Sequence, residues 1–184
     1  AMDAVITPSH FCANVFAEAG VTTPIHVAPL GVSEEYKPTR RTPGEPIRFL
    51  AFLDRGVRKG GYAAFAMFKR AFGEDKRYRI VLKQRRRQES IELFPVGNVE
   101  LVQDNLSESE LVALYTSCDV LINPCAGEGF GLLPREFAAT GGVSLTTEWS
   151  GTADDMDKWG WPLPHRLDTA DWSAQTNLPA QDFG

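Results

Sequence analysis

Cys118-Asp119-Val120-Leu121-Ile122-Asn123-Pro124 is followed, after three intervening residues, by Glu128-Gly129-Phe130-Gly131-Leu132-Leu133-Pro134-Arg135-Glu136. The first segment reads as a short buried strand ending in a turn. Residues 132–140 read as a helix with Pro134 in its first turn, where a missing N–H costs nothing, and Gly141-Gly142 as its stop. Strand, glycine turn and helix N-terminus together make an anion pocket, because backbone N–H groups and the positive end of the helix dipole face outward. Glu136 lies within the first turn and a half and leans back toward that end, so Glu128 and Glu136 can border one pocket. Amides for an anion beside carboxylates for hydroxyls suit a phosphorylated sugar. In isolation the same spacing also describes two surface glutamates bracketing an ordinary helix start.

Outward from this block, strands alternate with helices. Residues 4–7 are strand-like, and Ser9 caps a helix running to about residue 19, closed by Gly20. Residues 25–28 form a second short strand. Residues 37–46, with three prolines, a glycine and two arginines, read as an exposed linker. Residues 47–53 are almost continuously apolar, as in a strand covered on both faces. A helix over residues 60–72 follows, with an apolar stripe through Tyr62, Phe65, Ala66, Phe68 and Phe72. Strands are expected at residues 78–82, 99–102, 119–123 and 143–146. Ser107 and Glu110 form a capping box that opens a helix over residues 108–118. Successive βα units predict an α/β fold with a Rossmann-like, doubly wound parallel sheet and right-handed crossovers. The expected organisation is a junction with the first βαβ elements over residues 1–36, the linker, a core over 47–160, and an irregular, clipped tail over 161–184.

Composition bounds the function. The chain has 184 residues, 43% hydrophobic and 23% charged, enough for one domain with a real core. It has no apolar run near 18 residues and no basic, apolar leader at residues 1–4. The net charge of −5 argues against a nucleic-acid binder. Cys12, Cys118 and Cys125 have no metal-ligand spacing, and their odd number suits a reducing compartment, so a cytoplasmic protein is expected. Cys118 reads as a small buried hydrophobe and Cys125 as an inert thiol near the pocket.

In such sheets ligands bind outside the carboxyl ends of the strands, where strand order reverses. Arg55 and Lys59 follow the 47–53 strand, Lys83 the next, Gln103 the one after, and Glu128 the 119–123 strand. Cations at these ends plus a helix N-terminus would offset the charge of a diphosphate. No P-loop and no G-x-G-x-x-G after the first strand is present. Asp155-Met156-Asp157 imitates a metal-holding D-x-D but lies in an acidic, tryptophan-flanked loop and is read as chance. Lys83-Gln84-Arg85-Arg86-Arg87 reads as a solvated loop; the alternative is contact of Arg85–Arg87 with an anionic lipid or acceptor, a peripheral membrane contact.

The chain resembles the C-terminal, nucleotide-sugar-binding half of the retaining GT-B glycosyltransferases of family 4 (group 1). The resemblance is carried by Asp3-Ala4-Val5-Ile6-Thr7-Pro8-Ser9, Ile25-His26-Val27-Ala28-Pro29-Leu30-Gly31-Val32, Arg58-Lys59-Gly60 and the Leu111-to-Asp119 helix. It continues through Ala126-Gly127-Glu128-Gly129-Phe130-Gly131, Glu136-Phe137-Ala138-Ala139-Thr140-Gly141-Gly142 and Ser150-Gly151-Thr152-Ala153-Asp154. It implies that Glu136 accepts from ribose hydroxyls and Glu128 from hydroxyls of the donor sugar. The amides of Gly129, Phe130, Gly131, Leu132 and Leu133 would hold sugar and phosphate. Arg55 and Lys59 would neutralise the diphosphate as the glycosidic bond breaks, and Lys83 and Gln103 would line the nucleobase side. The family's phosphate arginine usually stands five residues before the lysine; Arg55 stands four before and Arg58 adjacent, and either can fill the role. Ser33 stands where the family often has an acidic residue or asparagine.

The resemblance further implies a UDP- or GDP-sugar donor, retention, no metal and no other cofactor. It also implies an acceptor-side N-terminal domain that this chain lacks, so the chain alone is expected to bind donor weakly and to be inactive. Two other readings stand beside it: a non-catalytic nucleotide-sugar-binding or assembly module pairing with a separate chain, and a GT-B-like epimerase or phosphorylase.

Overall fold

The computed structural model describes residues 2–39, 44, 46–53, 56–84 and 97–167. Arg55, Arg85–Arg87 and the tail from residue 168 lie outside the described residues.

The chain opens with a small βαβ unit. Strand β1 (Val5–Thr7) and strand β2 (Ile25–Val27) pair in parallel around helix α1 (His10–Glu18). Ser9 caps α1, its Oγ accepting from the Cys12 N–H at 3.1 Å. This leaves one orphan donor fewer at the helix start.

The main sheet contains β3 (Ile47–Phe52), β4 (Tyr78–Gln84), β5 (Val99–Gln103), β6 (Val120–Asn123), β7 (Val143–Thr147) and β8 (Trp161–Leu163). Its order is β5-β4-β3-β6-β7-β8, and every pairing is parallel. The connections are α2 (Gly56–Lys59) and α3 (Gly61–Phe72) after β3, α4 (Glu108–Thr116) after β5, and α5 (Leu132–Ala139) after β6. Winding runs from β3 outward to β5, then returns to β6 on the other side of β3. The order therefore reverses between β3 and β6. These two strands are joined only at Phe49↔Val120 and Leu50↔Leu121, and beyond that they open a crevice at their carboxyl ends.

Alternation along the strands assigns the two faces. Phe49, Ala51, Leu53, Ile80, Leu82 and Ile122 pack with Ala64 and Phe68 of α3. Leu50, Val81 and Leu121 pack on the other face with Tyr115 of α4, Phe137 of α5 and Tyr36. Each such aliphatic side chain contributes about 1.5–3 kcal/mol by leaving water. This two-sided burial is why the central strands read as unbroken apolar runs.

Three expectations need correction. Tyr62 and Ala66 are exposed, and the buried stripe of α3 is Gly61, Ala64 and Phe68, with Phe65 and Phe72 partly covered. Residues 56–59, to which the sequence assigns no element between the 47–53 strand and the 60–72 helix, form the single turn α2. Trp161–Leu163, expected to head an irregular tail, is the edge strand β8, paired with β7; residues 164–167 follow without regular structure.

Gly60 makes the α2–α3 join possible. Its φ is 72°, and a Cβ there would lie 2.1 Å from the carbonyl oxygen of Pro124. Only glycine allows both the left-handed turn and this approach of the β3 connection to the end of β6. That approach brings Arg58 and Lys59 beside the loop after β6.

Candidate functional site

A cavity of about 640 Å³ occupies the crevice at the β3–β6 reversal. It is lined by Tyr36, Phe52, Lys59, Lys83, Asn105, Leu106, Leu111, Tyr115, Glu128, Gly131, Leu132, Leu133, Pro134 and Glu136. Its size is that of a small-molecule site.

One wall is the helix start of α5. Gly131 is its N-cap, with φ 78° and no side-chain cap. Pro134 removes one donor and leaves the first-turn amides of Leu132 and Leu133 without an acidic neighbour in that turn. The turn leading in is pinned from the opposite side. The Glu128 N–H donates to Ser150 Oγ at 2.9 Å, and the Gly151 N–H donates to the Glu128 carbonyl at 2.9 Å. Ser150 adopts φ 63° to do so.

The Glu128 carboxylate faces the cations of α2. Lys59 Nζ forms an ion pair with Glu128 Oε1. Arg58 Nη1 donates to the Gly127 carbonyl at 2.8 Å and lies 3.9 Å from Glu128 Oε2.

At the other end Glu136 meets two tyrosines. The Tyr115 hydroxyl donates to its carboxylate, yet burial, and then the Glu108 charge, hold the Glu136 carboxyl above its ordinary range. Burial is also what drives the Tyr115 hydroxyl far up, with Glu136 adding to it. The Tyr36 hydroxyl is pushed up to about 12 by burial, then by Glu136 and Glu108. Both phenols therefore stay protonated donors at neutral pH. Cys125 is buried and pushed up to about 11, chiefly by burial and then by Glu128, so it is a thiol rather than a nucleophilic thiolate.

Of the residues selected from sequence, Lys59, Lys83, Glu128, Gly131, Leu132, Leu133 and Glu136 line one cavity. Lys83 is 3% exposed, and its ammonium donates to the carbonyls of Gln84, at 2.7 Å, and Asp104. Arg58, Gly129, Phe130 and Gln103 stand outside the lining. The Gly129 carbonyl accepts from Ser9 Oγ at 2.6 Å and from the Cys12 thiol at 3.3 Å. Gln103 bonds Gln84 Oε1 at 3.2 Å and borders a separate surface hollow with Arg79 and Glu100. Phe130 is turned onto Arg135.

Arg135, passed over in sequence, ties this region together. Its guanidinium lies between the rings of Phe130 (4.2 Å) and Trp159 (4.6 Å). It donates to the Asp154 carbonyl at 2.8 Å and pairs with Asp155 at 2.9 Å. The first carboxylate of Asp155-Met156-Asp157 thus has an arginine partner, and Met156 is buried. Asp154 Oδ2 in turn accepts from the His10 N–H at 2.6 Å, linking the loop to α1. Tyr36, Tyr115, Ser150 and Arg135 all act across long sequence separations. The one local signal was Tyr115 four residues after Leu111, a core-side phenol that needs a partner.

No family model and no curated protein matches the sequence. Solved structures do match the fold. Sucrose-phosphate synthase from Thermosynechococcus elongatus superposes with a TM-score of 0.67 at 18% identity, over 89% of this chain and 46% of that one. The fold is that of GT-B glycosyltransferases. WaaG, a glycosyltransferase involved in lipopolysaccharide biosynthesis, superposes at 0.61 and 16% identity, covering 83% and 46%. A structure described as trehalose-6-phosphate from E. coli bound with UDP-2-fluoro glucose superposes at 0.64 and 12% identity, covering 87% and 49%. The chain spans about half the length of these GT-B structures.

Proposed function

We propose that this chain is the donor-binding part of a retaining, family 4-type glycosyltransferase that transfers a hexosyl group from a UDP- or GDP-sugar. The observation that carries the reading is one cavity at the sheet reversal, bordered by Lys59, Glu128, the α5 N-terminus and Glu136. A nucleotide sugar needs a cation and amides for its diphosphate and acceptors for its hydroxyls, and these groups surround a single space. The E. coli neighbour bound with UDP-2-fluoro glucose supports a ligand of this class.

In this reading the α5 amides and Lys59 receive the diphosphate. Lys59 stabilises the charge that develops as the glycosidic bond breaks, which is electrostatic stabilisation of a departing anion and requires no resident metal. Glu128 accepts from hydroxyls of the sugar and Glu136 from the ribose. Tyr115 orients Glu136. Arg58 fixes the Gly127 carbonyl and so the turn that carries Glu128. The acceptor comes from an acceptor-side domain covering the β1–α1–β2 unit. Ile6, Phe16 and Leu30 expose 73%, 42% and 52% of their surface, apolar area of the kind such a domain would bury.

Calorimetric titration with UDP- and GDP-sugars tests the reading. Binding in the micromolar to millimolar range, weakened but not abolished by Lys59→Ala, is expected, with little or no transfer to acceptors by this chain alone. No binding of any nucleoside diphosphate or nucleotide sugar at millimolar concentration refutes the donor site. Robust turnover refutes the need for a second domain.

A further inference from the structure

We infer that Glu128 is the resting counter-ion of Lys59, and that its carboxylate makes the site prefer a nucleotide sugar to a nucleoside diphosphate without the sugar. The inference rests on the donor-site reading and adds a determinant of selectivity to it.

Lys59 Nζ is held by Glu128 Oε1, and Arg58 Nη1 approaches the other oxygen at 3.9 Å while bonded to the Gly127 carbonyl. The Glu128 side chain is 16% exposed and that of Lys59 25%, so the pair is only partly screened by water. Lys83, the other cation lining the cavity, directs its ammonium to the Gln84 and Asp104 carbonyls. A diphosphate seeking Lys59 therefore competes with a carboxylate already there.

That carboxylate has little room to leave. The backbone of Glu128 is fixed through its N–H by Ser150 and through its carbonyl by Gly151, so only the side-chain torsions can move it. When it swings off Lys59 it stays in the same cavity as a partly buried negative charge that needs donors. The hydroxyls of a sugar on the diphosphate supply them. A nucleoside diphosphate alone, whose ribose hydroxyls go to Glu136 in this reading, brings none to Glu128 and carries an additional negative charge of its own. Glu128 thus rewards a ligand that brings hydroxyls and opposes one that does not. After transfer, the same carboxylate returns to Lys59 and favours departure of the nucleoside diphosphate.

The test is calorimetry on the 184-residue chain with UDP, GDP and the corresponding nucleotide sugars, for wild type, Glu128→Gln, Glu128→Ala, Lys59→Met and the Lys59→Met/Glu128→Gln double variant. Far-UV circular dichroism and thermal melts check that each is folded. Glu128→Gln and Glu128→Ala should bind the nucleoside diphosphate about fivefold more tightly than wild type, equivalent to ~1 kcal/mol for a partly exposed pair, and the nucleotide sugar more weakly. In the Lys59→Met background the same substitution should give no gain. Equal or weaker nucleoside diphosphate binding by both Glu128 variants overturns the inference and leaves the donor site standing. A gain that persists without Lys59 overturns the specific pairing. Absence of binding of every ligand to wild type overturns the donor-site reading itself.

Discussion

Removing Arg135 should destabilise the fold more than removing any other surface-reaching cation. Its side chain is only 10% exposed, between the rings of Phe130 and Trp159 and against the backbone of Gly151 and Asp154. Each aromatic face is worth about 1 kcal/mol in a partly desolvated setting. The charge-assisted bond to the Asp154 carbonyl adds about 1.5–3 kcal/mol. The Asp155 partner is 44% exposed, so that ion pair is discounted to a few tenths of a kcal/mol or about 0.5 at most. Truncation also leaves a void between two rings and a carbonyl without its donor. Arg135→Ala should therefore cost about 3–5 kcal/mol, against a typical total stability of ~5–15 kcal/mol. Arg135→Lys keeps charge and stem but loses the planar stack and the forked donors, and should cost roughly half as much. Urea unfolding followed by Trp159-weighted fluorescence and by circular dichroism reads both values, with an unchanged slope required for interpretation. If Arg135→Ala lies within about 0.5 kcal/mol of wild type, the stack carries no stability and the reasoning fails. If Arg135→Lys equals wild type, charge alone suffices and planarity is irrelevant.

Other outcomes follow from the same geometry. Gly60→Ala places a Cβ 2.1 Å from the Pro124 carbonyl oxygen at φ 72°, and should cost at least ~3 kcal/mol or prevent folding; a melting temperature near wild type would refute the approach of these loops. Ser150→Ala loses the acceptor for the Glu128 N–H and keeps the left-handed strain, whereas Ser150→Gly loses the bond but relieves about 1 kcal/mol of strain. Ser150→Ala should be the less stable of the two in urea, and the opposite ranking would count against a strained serine. Glu136 is held above its ordinary 4.5, so between that pH and its higher folded value the folded chain binds more protons than the unfolded chain. Stability from this group falls as pH rises through that window, and above it the ionised carboxylate is a standing cost. Glu136→Gln should raise the urea midpoint at pH 7.5, with the advantage shrinking toward pH 4.5; an advantage that grows toward acid would contradict the assignment.

The sequence and the structure agree most where the determinants are local. The strands at 47–52 and 78–84 declared themselves because both faces are buried, and α4 because Ser107 and Glu110 close a capping box that the structure contains. Strand β8 was hidden because Trp161-Pro162-Leu163 is three residues long and contains a proline, which a parallel sheet tolerates at its edge and not inside. The turn α2 was hidden because glycines bound it on both sides and four residues carry no period. In the site, Glu128, Glu136 and the helix start between them were legible from one continuous stretch. Tyr36, Tyr115 and Ser150 were not, since the two phenols reach the cavity, and Ser150 holds the Glu128 backbone, through contacts that only tertiary packing defines.

The accounting of charge shows what packing adds to a motif. Read along the chain, Lys59 and Lys83 are two strand-end cations available to offset a diphosphate. In the fold, one is matched by Glu128 and the other donates to main-chain carbonyls of Gln84 and Asp104. The α5 N-terminus is capped by Gly131 without a side-chain bond, and its first turn has no acidic residue. Under the proposed function, initial attraction of an anion falls to the helix amides, and the contribution of Lys59 is released only as Glu128 finds other donors. A site built this way has an apparent affinity reduced by the fraction of molecules in which the pair is open. The turn that carries Glu128 is also held from the α1 start, where Ser9 Oγ and the Cys12 thiol donate to the Gly129 carbonyl. The β1–α1–β2 unit therefore shares hydrogen bonds with both the turn after Glu128 and the loop at Asp154, so the position of that turn depends on tertiary contacts made more than 100 residues earlier in the chain.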